Sequence, residues 1–127
     1  MGKNLFGKAV VRVQNGARNT GYSPREYAKR LEEAGVGEIF LNSITRDGMM
    51  SGYDCELIRE MSDCVQVPVI ACGGAGNLED CRRAIDSGAS AAAAGSIFVF
   101  WGANRAVLIN YPDGVETAAL FADSGKR

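Results

Sequence analysis

Short apolar runs alternate with amphipathic stretches along the chain, and each run closes on a glycine-bearing loop. Repeated, that order predicts βαβ units with parallel strands. Residues 8–14 (KAVVRVQ) are rich in β-branched side chains and predict a strand, followed by the turn signals Asn15-Gly16 and Asn19-Thr20-Gly21. Ser23-Pro24 reads as an N-cap with proline in the first helical position, and Tyr27, Leu31 and Ala34 recur at helical spacing up to Gly35. A helix is therefore predicted over 24–34. Residues 38–44 (EIFLNSI) predict a strand that runs into the polar turn Thr45-Arg46-Asp47-Gly48, and Asp54 then caps a helix over 55–61 with Leu57, Ile58 and Met61 on one face. The continuous run 68–72 (PVIAC) is of the kind buried on both faces of a parallel sheet. Gly73-Gly74-Ala75-Gly76 follows it, with Asn77 capping a helix over 78–87. Residues 89–94 predict a strand of small side chains, Gly95-Ser96 a turn, and 97–100 a further apolar run. A last helix is expected from Asn104 or Arg105, carrying Val107, Leu108 and Ile109, breaking at Tyr111-Pro112 and resuming over 115–121; residues 123–127 are expected to fray.

With 127 residues, 46% of them hydrophobic and 23% charged, the chain has the balance of one ordinary globular domain, expected over 1–127. No apolar stretch approaches the roughly 18 to 20 residues of a membrane span, and the N-terminus has no secretory pattern, so a cytoplasmic location is expected. The sequence contains no histidine, which excludes Ser-His and Cys-His nucleophilic schemes. Cys55, Cys64, Cys72 and Cys81 lack CxxC pairing and are expected to be reduced thiols, with no metal site and no cofactor. The net charge of −1 conceals an asymmetry: residues 1–31 hold seven Lys or Arg against the single acid Glu26. This basic segment lacks the aromatic and arginine spacing of a nucleic-acid surface and reads as a solvated hairpin.

The loops carry the candidate chemistry. Asp47-Gly48, Gly73-Gly74-Ala75-Gly76 and Gly95-Ser96 follow three successive strands, and glycine lets backbone N–H groups approach an anion where a helix N-terminus adds a favourable dipole. Tight turns need glycine for steric reasons alone, but the recurrence after adjacent strands points to a phosphate. Cys72, at a strand end beside glycine, is a reactive thiol if helix dipoles lower its pKa and a packing residue otherwise. Asn42 and Ser43 should face opposite sides of their strand, and Trp101 should pack at the rim of the last apolar run.

The stretches GEIFLNSITRDGMMSGYDCELI, VPVIACGGAGNLEDC and SGASAAAAGSIFVF resemble the second half of the HisF-type cyclase subunit of imidazole glycerol phosphate synthase, a histidine-biosynthesis lyase with a (βα)8 TIM-barrel fold. The opening KNLFGKAVVRVQNGARNTG and the ending FWGANRAVLINYP are similar to the branch associated with amination of surface-polysaccharide sugars. The resemblance implies an α/β half barrel made of strands six to eight plus an N-terminal β segment. It also implies a phosphate site at Gly48, Gly73, Gly74, Gly95 and Ser96, with Asp47 at the rim near the substrate or hydrogen-bonded to its own turn. The family's two acid–base aspartates belong to barrel strands one and five, which the resemblance places outside this chain, and no aspartate precedes Asp47. The family usually carries Asp-Arg-Asp-Gly-Thr where this chain has Thr45-Arg46-Asp47-Gly48-Met49, and a small hydroxyl residue where it has Cys72.

Half a parallel barrel leaves one sheet face uncovered and two strand edges unpaired. A homo-oligomer, most simply a dimer, is expected, with residues 9–13 standing in for a fifth strand. Three functions stay open: a half barrel that binds a phosphorylated small molecule without the full cyclase reaction, a lyase active only on assembly, and a non-enzymatic module for a glutaminase or a complementary half barrel. No nucleic-acid or membrane partner is expected.

Overall fold

A computed structural model describes residues 1–3 and 8–122; the fraying expected over 123–127 lies outside these. The N-terminal segment forms two small antiparallel pairs and not one strand. Strand β1 (Gly2–Lys3) pairs with β2 (Ala9–Val10), and β3 (Arg12–Val13) pairs with β4 (Arg18–Asn19). Gln14 and Asn15 take left-handed backbone angles (φ 54° and 53°) and turn the chain back on itself. Val11 then donates to the Tyr22 carbonyl and accepts from the Thr20 N–H. Local closure costs less chain entropy than reaching a distant sheet edge. Residues 9–13 therefore do not act as a fifth parallel strand, and it is Met1 that lies along the edge of the sheet's first strand, accepting from the Ile44 N–H at 2.8 Å.

Helix α1 (Pro24–Glu33) starts where Ser23 and Glu26 exchange hydrogen bonds in a capping box. The central sheet follows: β5 (Ile39–Asn42), helix α2 (Cys55–Ser62), β6 (Val69–Cys72), helix α3 (Leu78–Asp86) and β7 (Ala91–Ala93). The strands are parallel in the order β5-β6-β7, with Phe40 beside Ile70 and Ile70 beside Ala91. Asp54 and Asn77 cap α2 and α3 as the sequence predicts.

Alternation of side chains sends Ile39, Leu41, Val69 and Ala71 to one face, where they join Ala28, Leu57, Ile58 and Met61 in the core. The opposite face carries Phe40, which is 60% exposed, with Ile70 and Ala91, and then a more polar row of Asn42, Cys72 and Ala93 toward the strands' C-terminal ends. Phe40 and Ala91 on that face are exposed, and Ile70, Asn42, Cys72 and Ala93 are half-buried. Strand β6 accordingly alternates buried and half-buried positions and is not buried on both sides.

After β7 comes a short helix, α4 (Ser96–Val99), and then an antiparallel hairpin of β8 (Phe100–Trp101) and β9 (Ala106–Val107). The helix expected from Asn104 or Arg105 is thus a hairpin. Gly102 and Arg105 take positive φ (71° and 51°), and the ladder continues as Leu108 donates to Val99 and Asn110 to Phe98. Val107 and Ile109 are β-branched and suit an extended path, and Pro112 keeps Tyr111 out of helical geometry. Trp101 is exposed and does not pack at a strand rim. Helix α5 (Gly114–Phe121) resumes behind an Asp113–Glu116 capping box.

Ile58 is 1% exposed at the centre of the helix–sheet interface. Ile58→Ala should lower unfolding free energy by about 2–5 kcal/mol in urea titrations followed by circular dichroism.

Candidate functional site

The loops after β5, β6 and β7 all leave from strand C-terminal ends, and the parallel register brings them side by side. Asp47, Gly48, Gly73, Gly74, Gly95 and Ser96, all six expected site residues, line a single notch of about 20 Å³ with Cys72, Ala75 and Ala94. A depression of that size admits oxygens of a phosphate at its mouth and not a sugar. A much larger cavity, about 570 Å³, lies elsewhere: Phe98, Phe100 and Trp101 line it against the first turn of α3, and none of the six expected residues does.

The glycine loop takes its shape from contact with the loop before it. Gly52 donates its N–H to the Gly74 carbonyl at 2.7 Å, and Arg46 donates to the Gly52 carbonyl at 3.3 Å. A Cβ on Gly74 (φ +114°) would overlap the Gly52 carbonyl, and one on Gly73 (φ +90°) would stand 2.6 Å from Asn42 Oδ1. Asp80, 6% exposed, closes the arrangement from below by accepting the Gly76 N–H at 2.9 Å, while Asn77 accepts the Asp80 N–H at 2.9 Å. Asp80 and Asn77 thus occupy donors at the start of α3, so this helix end is capped by its own side chains. Helix α4 has only four residues and little macrodipole, so backbone N–H donation from the loops, more than a dipole, is what the notch offers an anion. Gly52 and Asp80 were not expected site residues: their roles depend on contacts between loops, which local spacing does not encode.

Ser43 is buried on the helix side of β5, and Asn42 sits on the open face, as the alternation predicts. Asn42 Oδ1 is buried and has no hydrogen-bond partner among the described residues. Cys72 does not have a lowered pKa. Burial pushes its thiol up, the Asp47 carboxylate pushes it further the same way, and a hydrogen bond from the Gly73 backbone opposes them only in part. The packing reading of Cys72 therefore wins over the reactive one. Burial likewise raises Cys64 and Cys81, and all four cysteines are free thiols. No helix among the described residues is long and apolar enough to cross a membrane.

Gly74→Ala should cost about 2–4 kcal/mol in urea titrations, from left-handed strain and backbone overlap together. Gly95→Ala meets nothing within 4 Å and should fold with wild-type stability. Iodoacetamide mapping should find Cys72 slow to label near neutral pH, where its thiol stays protonated, and faster as pH climbs past the raised pKa. Asp47→Asn should move that rise to lower pH by removing the second cause of the shift.

Comparison with known proteins adds a family to this geometry. Residues 3–103 match the histidine biosynthesis protein family. A Pseudomonas aeruginosa protein, provisionally named imidazole glycerol phosphate synthase subunit hisF2, is 54% identical over 112 residues, covering 87% of this chain and 45% of that protein. The imidazole glycerol phosphate synthase subunit HisF of Chlorobaculum tepidum is 46% identical over 99 residues, covering 77% of this chain and 39% of its own length. That of Pyrobaculum aerophilum is 50% identical over 90 residues, covering 71% and 36%. The chain spans less than half the length of these curated relatives.

Proposed function

This chain belongs to the histidine biosynthesis protein family, and from that premise we propose that it is a HisF-like half-barrel unit whose three βα loops hold the phosphate of a small phosphorylated molecule. The observation that carries the reading is the convergence of Asp47, Gly48, Gly73, Gly74, Gly95 and Ser96, drawn from three separate loops, on one notch at the C-terminal ends of three parallel strands. Strand register brings the three loops together, and the glycines leave their meeting point free of side chains. Parallel α/β sheets bind ligands at this end, and glycine-rich loops present backbone donors there without obstruction.

The notch contains one carboxylate, Asp47. Acid–base chemistry of the two-aspartate kind needs a second group facing it, so residues 1–127 alone are assigned ligand binding and not the full cyclase reaction. Lyase activity then belongs to an assembly in which another surface supplies that group. The uncovered face supports such an assembly: Phe40, Ile70 and Ala91 form an apolar row that a second half barrel, from another copy or a complementary chain, would bury. A glutaminase partner is the remaining reading, and it rests on the resemblance alone.

Sedimentation equilibrium over a dilution series, with and without millimolar glycerol phosphate, tests the reading. A dimer tightened by the ligand is expected, and Phe40→Asp should yield a folded monomer because Phe40 contributes little to the core of one copy. A wild-type monomer indifferent to glycerol phosphate, with no heat of binding by calorimetry, would overturn both the phosphate site and the barrel closure.

A further inference from the structure

The notch has a charge problem. Its nine lining residues include one acid, Asp47, and no base. A phosphate brought beside that carboxylate meets like charge in a partly desolvated place. Arg46, next to Asp47 in sequence, does not solve it, because its guanidinium is turned to the Gly52 carbonyl and pairs with Asp54 at 3.8 Å.

The solution comes from the far end of the chain. Arg105 Nη2 donates to the carbonyl of Gly48, a notch-lining residue 57 positions earlier. The residue is held at both ends: the guanidinium carbon lies 5.8 Å from the centre of the Phe100 ring, and the Arg105 backbone N–H donates to the Gly102 carbonyl at 3.1 Å, closing the β8–β9 turn. Arg105 itself sits in the left-handed region, an uncommon conformation for a side chain of its size that the turn imposes. The hairpin therefore has one specific consequence at the site, which is to bring a guanidinium to the rim where the first loop meets the notch. One of its five donors is used on Gly48, and four remain.

We infer that Arg105 is the cation of the phosphate site, an arm that reaches across from the C-terminal hairpin, clamps the Gly48 loop and pairs with the bound phosphate, offsetting the Asp47 carboxylate. The inference rests on the phosphate reading above and deepens it. It also places a ligand-binding residue outside the span of the family match, which ends at residue 103.

Calorimetric titration of the full chain with glycerol phosphate, at low and high salt, tests this with Arg105→Gln and Arg105→Lys beside the wild type. Arg105 is exposed, so both variants should melt as the wild type does. Loss of a charge-assisted pair should weaken binding by roughly tenfold or more in Arg105→Gln and flatten its salt dependence, with Arg105→Lys intermediate because it keeps the charge and loses the fork. Wild-type binding with unchanged affinity and salt slope in Arg105→Gln would overturn the role of Arg105 and leave the phosphate site standing. Absence of wild-type binding would overturn the phosphate reading and this inference with it.

Discussion

The short backbone contact between Gly52 and Gly74 holds the functional end of the molecule in place. A 2.7 Å hydrogen bond joins two loops at a point where neither can retreat, because the carbonyl of Gly52 occupies the space a side chain at 74 would need. Fixing the second loop against the first fixes the path of Gly73 to Gly76, and with it the direction of α3. Parallel pairing of β6 with β7 then sets Gly95 and Ser96 alongside. The notch is a result of strand register plus one interlock, and it requires no catalytic side chain to hold its shape. Asp80 supports the same interlock from the buried side, so a carboxylate in the first turn of α3 serves the loop as much as the helix.

That division explains which parts were readable in the sequence. Helices α1, α2 and α3 were found within a residue or two because their determinants are local: Ser23-Pro24, Asp54 and Asn77 cap them, and apolar side chains recur at helical spacing. The three parallel strands and their glycine loops were found for the same reason. The Asn15-Gly16 turn of the N-terminal hairpin was legible, but the brevity of its strands and the whole C-terminal hairpin were not. Arg105 adopts positive φ without being glycine or asparagine, so the turn that replaces the expected C-terminal helix carries little local signal. Val107, Leu108 and Ile109 look like one face of a helix in sequence, yet their backbone is claimed by Val99 and Phe98 from the preceding segment.

The residues that line the notch were readable as a set, but the contacts that shape it were not. Asp47 and the glycines could be named from their places at strand ends, whereas the contacts of Gly52 and Arg105 join loops 22 and 57 residues apart and leave no trace in spacing. At Cys72 the sequence left activation and packing both open, and the structure decides for packing. A thiol at a strand end beside glycine suggests activation, but the dominant influences are burial and the Asp47 carboxylate, and both favour the protonated form.

The open face of the sheet has a direction, and that direction bears on what covers it. Its row nearer the strand starts is Phe40, Ile70 and Ala91, and its row at the notch end is Asn42, Cys72 and Ala93. A partner covering this face buries hydrocarbon at one end and meets an amide and a thiol at the other. Asn42 Oδ1 lacks a partner among the described residues but is already buried within one copy, against the Gly73 turn, so it is an internal cost and not a contact left for an occupant. A uniformly apolar partner would match Phe40, Ile70 and Ala91 but not the amide and thiol of the second row. A surface with the same gradient, apolar below and polar above, satisfies both, and a second sheet of this same design has that gradient when its strands run in the same direction. That match in gradient is the physical ground of the proposed closure by a second half barrel.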